Sequence, residues 1–158
     1  MVGQARELAE RASRDPALLE ELVEKLWAED ECERTDAADV LMRLTEFAPE
    51  LLEAYLPALL ELFHSPLPQI MQWHVTLIIP RLRLAPAERR RAFAHLQKLL
   101  NEQGSITRTN ALEGIARLAI ADENLREPGA NLLRKALQRG TAAMKARSRR
   151  WLCKIERP

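Results

Sequence analysis

AYLPALLELFHSPLPQIMQWHVTLIIPRL, residues 54–82, reads as two amphipathic helices joined by a tight proline turn. Leu56, Leu59, Leu60 and Phe63 recur at the spacing that lines one face of an α-helix. Ser65, Pro66 and Pro68 then stop it. The prolines lack the backbone N–H that a continuing helix needs, and Pro68 suits the opening turn of the next one. The second helix buries Val75, Ile78, Ile79 and Leu82, and Pro80 falls late enough to kink it. A hairpin of this kind keeps apolar surface on both flanks, so it needs similar units beside it.

Composition agrees. The 158 residues are 47% hydrophobic and 30% charged, ordinary proportions for a single soluble domain, with five glycines and no alternating strand pattern. The expectation is therefore an all-α chain forming one domain, 1–158. No apolar run is long enough to span a membrane, and MVGQARELAE lacks the apolar core of a signal peptide, so a cytoplasmic location is expected. Cys32 and Cys153 fall near opposite ends, which reads as two reduced, packed thiols and neither a disulfide nor a metal set.

In chain order, a short helix over 4–14 caps the N-terminus. Asp15 and Pro16 open the next as N-cap and first helical residue, and Leu18, Leu19, Leu22, Val23, Leu26 and Trp27 form its apolar face. Residues 30–45 pair with it, and Pro49 marks the break into the central hairpin. Beyond LAPAE a helix over 87–101 carries Phe93, Leu96, Leu99 and Leu100, and Gly104 and Ser105 turn the chain. Further helices run to about 121, over 123–139 and over 141–156, with Gly140 ending the second of these. That makes nine helices, paired as 16–45, 54–82, 88–119 and 123–156.

The second helices of the pairs align in phase. Arg34, Ala37, Leu41 and Leu44 match Gln72, Val75, Ile79 and Leu82, then Arg108, Ala111, Ile115 and Leu118, then Lys145, Ser148, Leu152 and Ile155. Their last members lie 38, 36 and 37 residues apart. With Leu56, Pro57, Leu59 and Leu60 opening a first helix, and a basic residue three before a small one at Arg34 and Ala37 and at Arg108 and Ala111, the chain resembles the HEAT-repeat family. Where that family usually carries an acidic residue six positions before the basic one, this chain has Ala28, Pro66, Glu102 and Arg139. The shorter period and signature of tetratricopeptide repeats are missing. The resemblance implies a right-handed α-solenoid of about four helix pairs plus the N-terminal cap, its second helices lining a concave face.

On that face a helical wheel turns three positions of each second helix outward from the buried stripe. They are Asp36, Asp39 and Arg43; His74, Leu77 and Arg81; Asn110, Glu113 and Arg117; and Arg147, Arg150 and Lys154. Arg43, Arg81, Arg117 and Lys154 would form a basic column that either complements helix dipoles or contacts anions. Trp73, His74 and Leu77 in the middle look like an interaction hot spot inside a polar rim. His64 reads as a helix-end residue and His95 as one on an exposed face.

Charge is strongly divided along the chain. Residues 1–62 carry 16 acidic and 6 basic side chains, whereas 63–158 carry 7 and 18. The last helix, KARSRRWLCKIER, is dominated by Lys and Arg. The sequence thus predicts a non-enzymatic interaction module that binds an unidentified protein through Trp73, His74, Leu77, Arg81, Arg117, Arg147, Arg150 and Lys154. The alternative is nucleic acid or an acidic protein on the basic C-terminal half. Head-to-tail self-association of the acidic and basic ends is a third reading. A HEAT-like DNA glycosylase would need Trp73 with Asp36, Asp39 or Glu113 in a groove, and nothing beyond fold analogy supports it. No phosphate loop, nucleophile elbow or metal-ligand spacing is present, so no catalytic residue, metal or cofactor is expected.

Overall fold

A computed structural model describes residues 2–157 of the chain. They are all-helical: α1 Val2–Ala12, α2 Pro16–Glu24, α3 Glu31–Leu44, α4 Leu56–His64, α5 Gln69–Ile78, α6 Pro86–Leu99, α7 Ser105–Ala121, α8 Glu123–Arg139 and α9 Ala142–Glu156. Short 3-10 turns cover Lys25–Trp27, Pro49–Tyr55 and Ile79–Arg81.

Local chemistry sets the starts and stops. The Asp15 carboxylate accepts from the backbone N–H groups of Ala17 and Leu18, with Pro16 in the first turn, and Asp30 accepts from Glu33 N–H. Such caps satisfy donors that have no partner within the helix. Glu88 reaches back to the N–H of Ala85 at 2.7 Å, and the Thr141 hydroxyl accepts from Met144 N–H. Pro80 ends the α-helical hydrogen bonding of α5, and the chain tightens into a 3-10 turn there.

The chain divides into two compact units, Met1–Arg83 and Leu84–Pro158. In the first, α3 packs against α1, α2 and α5, around a core that includes Leu26, Leu41, Leu44, Leu52, Leu59, Met71, Ile78 and Ile79. In the second, α7 packs against α6, α8 and α9 around Leu96, Leu112, Ile115 and Leu118. In both, a helix touches the second helix along as well as the next.

The positions aligned in the sequence share similar burial. Ala37, Val75, Ala111 and Ser148 are all buried, as are Leu41, Ile79 and Ile115, and Leu44, Leu82, Leu118 and Ile155. Arg34, Gln72, Arg108 and Lys145 are all half-buried. Leu152 departs, being half-buried where its counterparts are buried.

Other expectations need correction. Trp27 is 49% exposed, because the last turn of its helix winds as 3-10 and turns the indole off the apolar stripe. Residues 49–55 form a 3-10 turn that buries Leu52 before α4 begins. Leu56 and Leu60 are half-buried, and Leu62 is buried in their place. Cys32 and Cys153 are exposed rather than packed.

Two glycines serve close approach. A Cβ on Gly129 would lie 2.7 Å from the Cβ of Ala119, so its absence lets α8 sit tightly on α7. At Gly140 a Cβ would lie 2.5 Å from the carbonyl oxygen of Ala136 and 2.9 Å from the Cβ of Met144. Its backbone is extended, with φ −79° and ψ 170°, so crowding and not a left-handed conformation selects glycine. Gly140→Ala is therefore expected to lower the free energy of unfolding in urea by about 2 kcal/mol, since a backbone carbonyl must shift. Ser148→Ala, which removes a fully buried hydroxyl with no hydrogen-bond partner among the described residues, is expected to be neutral or stabilising within about 1 kcal/mol.

Candidate functional site

The residues singled out by the sequence fall on two polar helix faces, one in each unit. In the first unit the face belongs to α3 and α5. Asp39, near the middle of α3, accepts a hydrogen bond from Arg43 Nε at 3.3 Å, and His74 Nδ1 of α5 stands 3.9 Å from the same carboxylate oxygen. Arg43 also lies 3.7 Å from Glu46. Burial pushes the His74 pKa below the ordinary imidazole value, with Asp39 opposing that shift and Arg43 reinforcing it. Trp73 and Leu77 flank His74, both half-buried.

Arg81, in the 3-10 turn after α5, reaches back 39 residues to donate from Nη1 to the carbonyl of Met42 and to Thr45 Oγ1, both at 3.0 Å. The Thr45 hydroxyl donates to the same Met42 carbonyl at 2.6 Å. A cation thus sits on the negative end of α3 and satisfies carbonyl oxygens that the helix leaves open.

In the second unit the face belongs to α7 and α9, and a carboxylate organises it. Glu113, 8% exposed, takes Arg147 Nη1 of α9 at 2.7 Å on one oxygen and Arg117 Nε and Nη2 at 3.2 and 3.1 Å on the other. Two guanidinium groups from two helices therefore neutralise one buried carboxylate. The Arg117 guanidinium carbon also lies 4.6 Å from the centre of the buried Trp151 ring, and Lys154 Nζ lies 4.3 Å from it. Both distances are within cation–π range. Arg149 and Arg150 point into solvent.

The helical wheel placed Asn110 and Glu113 outward, and both are buried. The wheel assumed that α7 is covered on one side, whereas α6, α8 and α9 all pack on it. His95 is half-buried, and desolvation followed by Lys98 lowers its pKa. His64 ends α4 and meets Phe63 edge-on at 5.0 Å. The cations of the expected column are all engaged: Arg43 and Arg117 by carboxylates, Arg81 by a carbonyl, Lys154 by an indole. Sequence reasoning missed Trp151, which continues the buried stripe of Met144, Ser148 and Ile155, because the alignment put Leu152 in that place.

Among the described residues no group of His, Cys, Asp and Glu could hold a metal ion, and no helix is long and apolar enough to cross a membrane. No family model and no curated protein matches the chain. Two crystal structures of engineered proteins are similar in fold. One superposes with a TM-score of 0.70 at 20% identity, covering 96% of this chain and 71% of that one. The other gives 0.67 at 20% identity, covering 92% of this chain and 39% of that one. At such identity the likeness bears on the fold alone.

Glu113→Ala leaves Arg117 and Arg147 facing each other without their carboxylate, and is expected to cost about 2 kcal/mol in urea unfolding. The histidines give a pH signature. Both have folded pKa values below the unfolded value of about 6.5, so the unfolded chain binds more protons in that window and stability falls as pH drops from about 7. His74→Gln combined with His95→Gln is expected to flatten that limb of the stability profile between about pH 7 and the folded values, measured by urea unfolding at half-unit steps.

Proposed function

We propose that the chain is a short HEAT-like α-solenoid that works without catalysis, as an interaction module for a protein partner with an acidic surface. The observation that carries this reading is the α7/α9 face, where Arg117, Arg147, Arg150 and Lys154 outnumber the single carboxylate Glu113. Glu113 and Trp151 hold Arg117 and Arg147 in fixed positions, which lowers the entropy lost when a partner's carboxylates arrive. The four-fold phase of the second helices and the packing of α3 on α1 and α5, and of α7 on α9, support the repeat architecture. In the first unit, Trp73, His74 and Leu77 supply part-exposed aromatic and aliphatic surface of the kind that anchors an interface.

Nucleic acid is the second reading, favoured by the 16 basic against 7 acidic side chains of residues 84–158.

Affinity capture from the source cell, followed by mass spectrometry, compares the wild type with Trp73→Ala/Leu77→Ala and with Arg149→Glu/Arg150→Glu. A discrete acidic protein retained by the wild type and lost at least tenfold in the Arg pair variant, with circular dichroism unchanged, is the expected result. Equal capture by all three chains would refute the proposed surface. Titration with labelled duplex and single-stranded DNA and RNA decides the second reading, since phosphate binding must weaken steeply between about 50 and 200 mM salt.

A further inference from the structure

A cleft in the first unit combines an apolar floor with a single cation. It holds about 340 Å3 and lies between Trp27 and Arg34 on one side and the Ser65–Leu67 turn on the other. Leu26, Leu62 and Met71 form a buried apolar floor, Trp27 stands half out of the rim, and Arg34 and Glu61 supply the charges. A volume of this size suits a compact organic ligand.

Arg34 is the unusual member. It opens α3 half-buried, and its guanidinium has no hydrogen-bond or ion-pair partner among the described residues. Other arginines on the inner helices of this unit are paired: Arg43 on Asp39, Arg81 on Met42 and Thr45. The position six before Arg34, where a carboxylate would complement it, holds Ala28. An unpaired guanidinium beside an apolar floor is complementary to a carboxylate joined to an apolar body.

The surroundings limit the ligand's charge. Residues 1–83 carry 16 acidic against 8 basic side chains, and Glu61 stands on the rim itself. A second negative charge would meet repulsion with no further cation in the cleft to offset it, so phosphates and dicarboxylates are disfavoured. Trp27 adds a flat indole beside the opening, suited to an aromatic ring.

We infer that the cleft between Trp27, Arg34 and Met71 binds a small aromatic or branched aliphatic monocarboxylate, its carboxylate on Arg34 and its apolar body on Leu26, Leu62 and Met71. Nothing in this inference depends on the protein-binding face of the second unit.

The test is a titration of the full chain with 3-phenylpropionate, followed by amide and indole NMR shifts. Saturable binding at sub-millimolar to millimolar concentration is expected, with shifts at the Trp27 indole and at residues 62–71. Three comparisons accompany it: 3-phenylpropan-1-ol, which lacks the carboxylate; phenylsuccinate, which doubles it; and the Arg34→Gln chain. The alcohol and the Arg34→Gln chain are expected to bind at least about tenfold more weakly, the size of one lost charge-assisted contact, and phenylsuccinate to bind more weakly through repulsion of its second charge by Glu61. Ser65→Trp, an exposed rim position, should block the cleft with the fold intact, covering the case in which Arg34→Gln unfolds. Equal affinity for the alcohol, undiminished binding by Arg34→Gln or Ser65→Trp, shifts located elsewhere, or no shift up to about 10 mM would each overturn the inference.

Discussion

The two units depend on one requirement: at the centre of α3, α5, α7 and α9 a small or slender side chain must meet its neighbour with no space left between them. Ala37, Val75, Ala111 and Ser148 occupy that place, none more than 2% exposed. Small residues there let helix axes come close, and the leucines and isoleucines four and seven positions on then interdigitate around them. Gly129 extends the same logic to the α7/α8 contact, where even one methyl group would collide. The apolar stripe of a single helix could be buried in many ways. Fixing the closest point of approach selects one of them.

The polar sides of α3, α5, α7 and α9 are organised by charges that reach from one helix to another. Arg81 ties the end of α5 to the last carbonyls of α3, and Glu113 ties α7 to α9 through Arg147. These contacts are partly shielded from water, so they act with more force than exposed ion pairs, whose worth is about 0–1 kcal/mol. Their arrangement differs between units. One uses a cation on a helix end, the other a carboxylate between two guanidinium groups. The second leaves an excess of positive charge, and it carries the proposed interaction surface for that reason.

Much of this was legible in the sequence because phase and punctuation are local. Asp15, Asp30 and Thr141 announce helix starts through short-range capping chemistry, and the four-fold alignment identified the buried positions correctly except at Leu152. What the sequence hid depends on neighbours. Trp27 left the core because the final turn of its helix tightened, which no periodicity records. Glu113 and Asn110 were read as outward because a wheel knows one helix at a time, and α7 is enclosed by three. The missing partner of Arg34 was visible as Ala28 in the sequence, but the cleft that makes it matter is lined by residues from 26 to 71 and exists only in the folded unit.

The packing of each helix on its first and second neighbours also governs how the chain finds its fold. The contacts join segments close in sequence, as in α1 with α3, α3 with α5 and α7 with α8 and α9, so few long loops must close before burial begins to compensate for lost chain entropy. Topologies of this kind cross a low entropic barrier and fold in microseconds to milliseconds. Closure of short connecting segments and docking of helices are the elementary events of such a route.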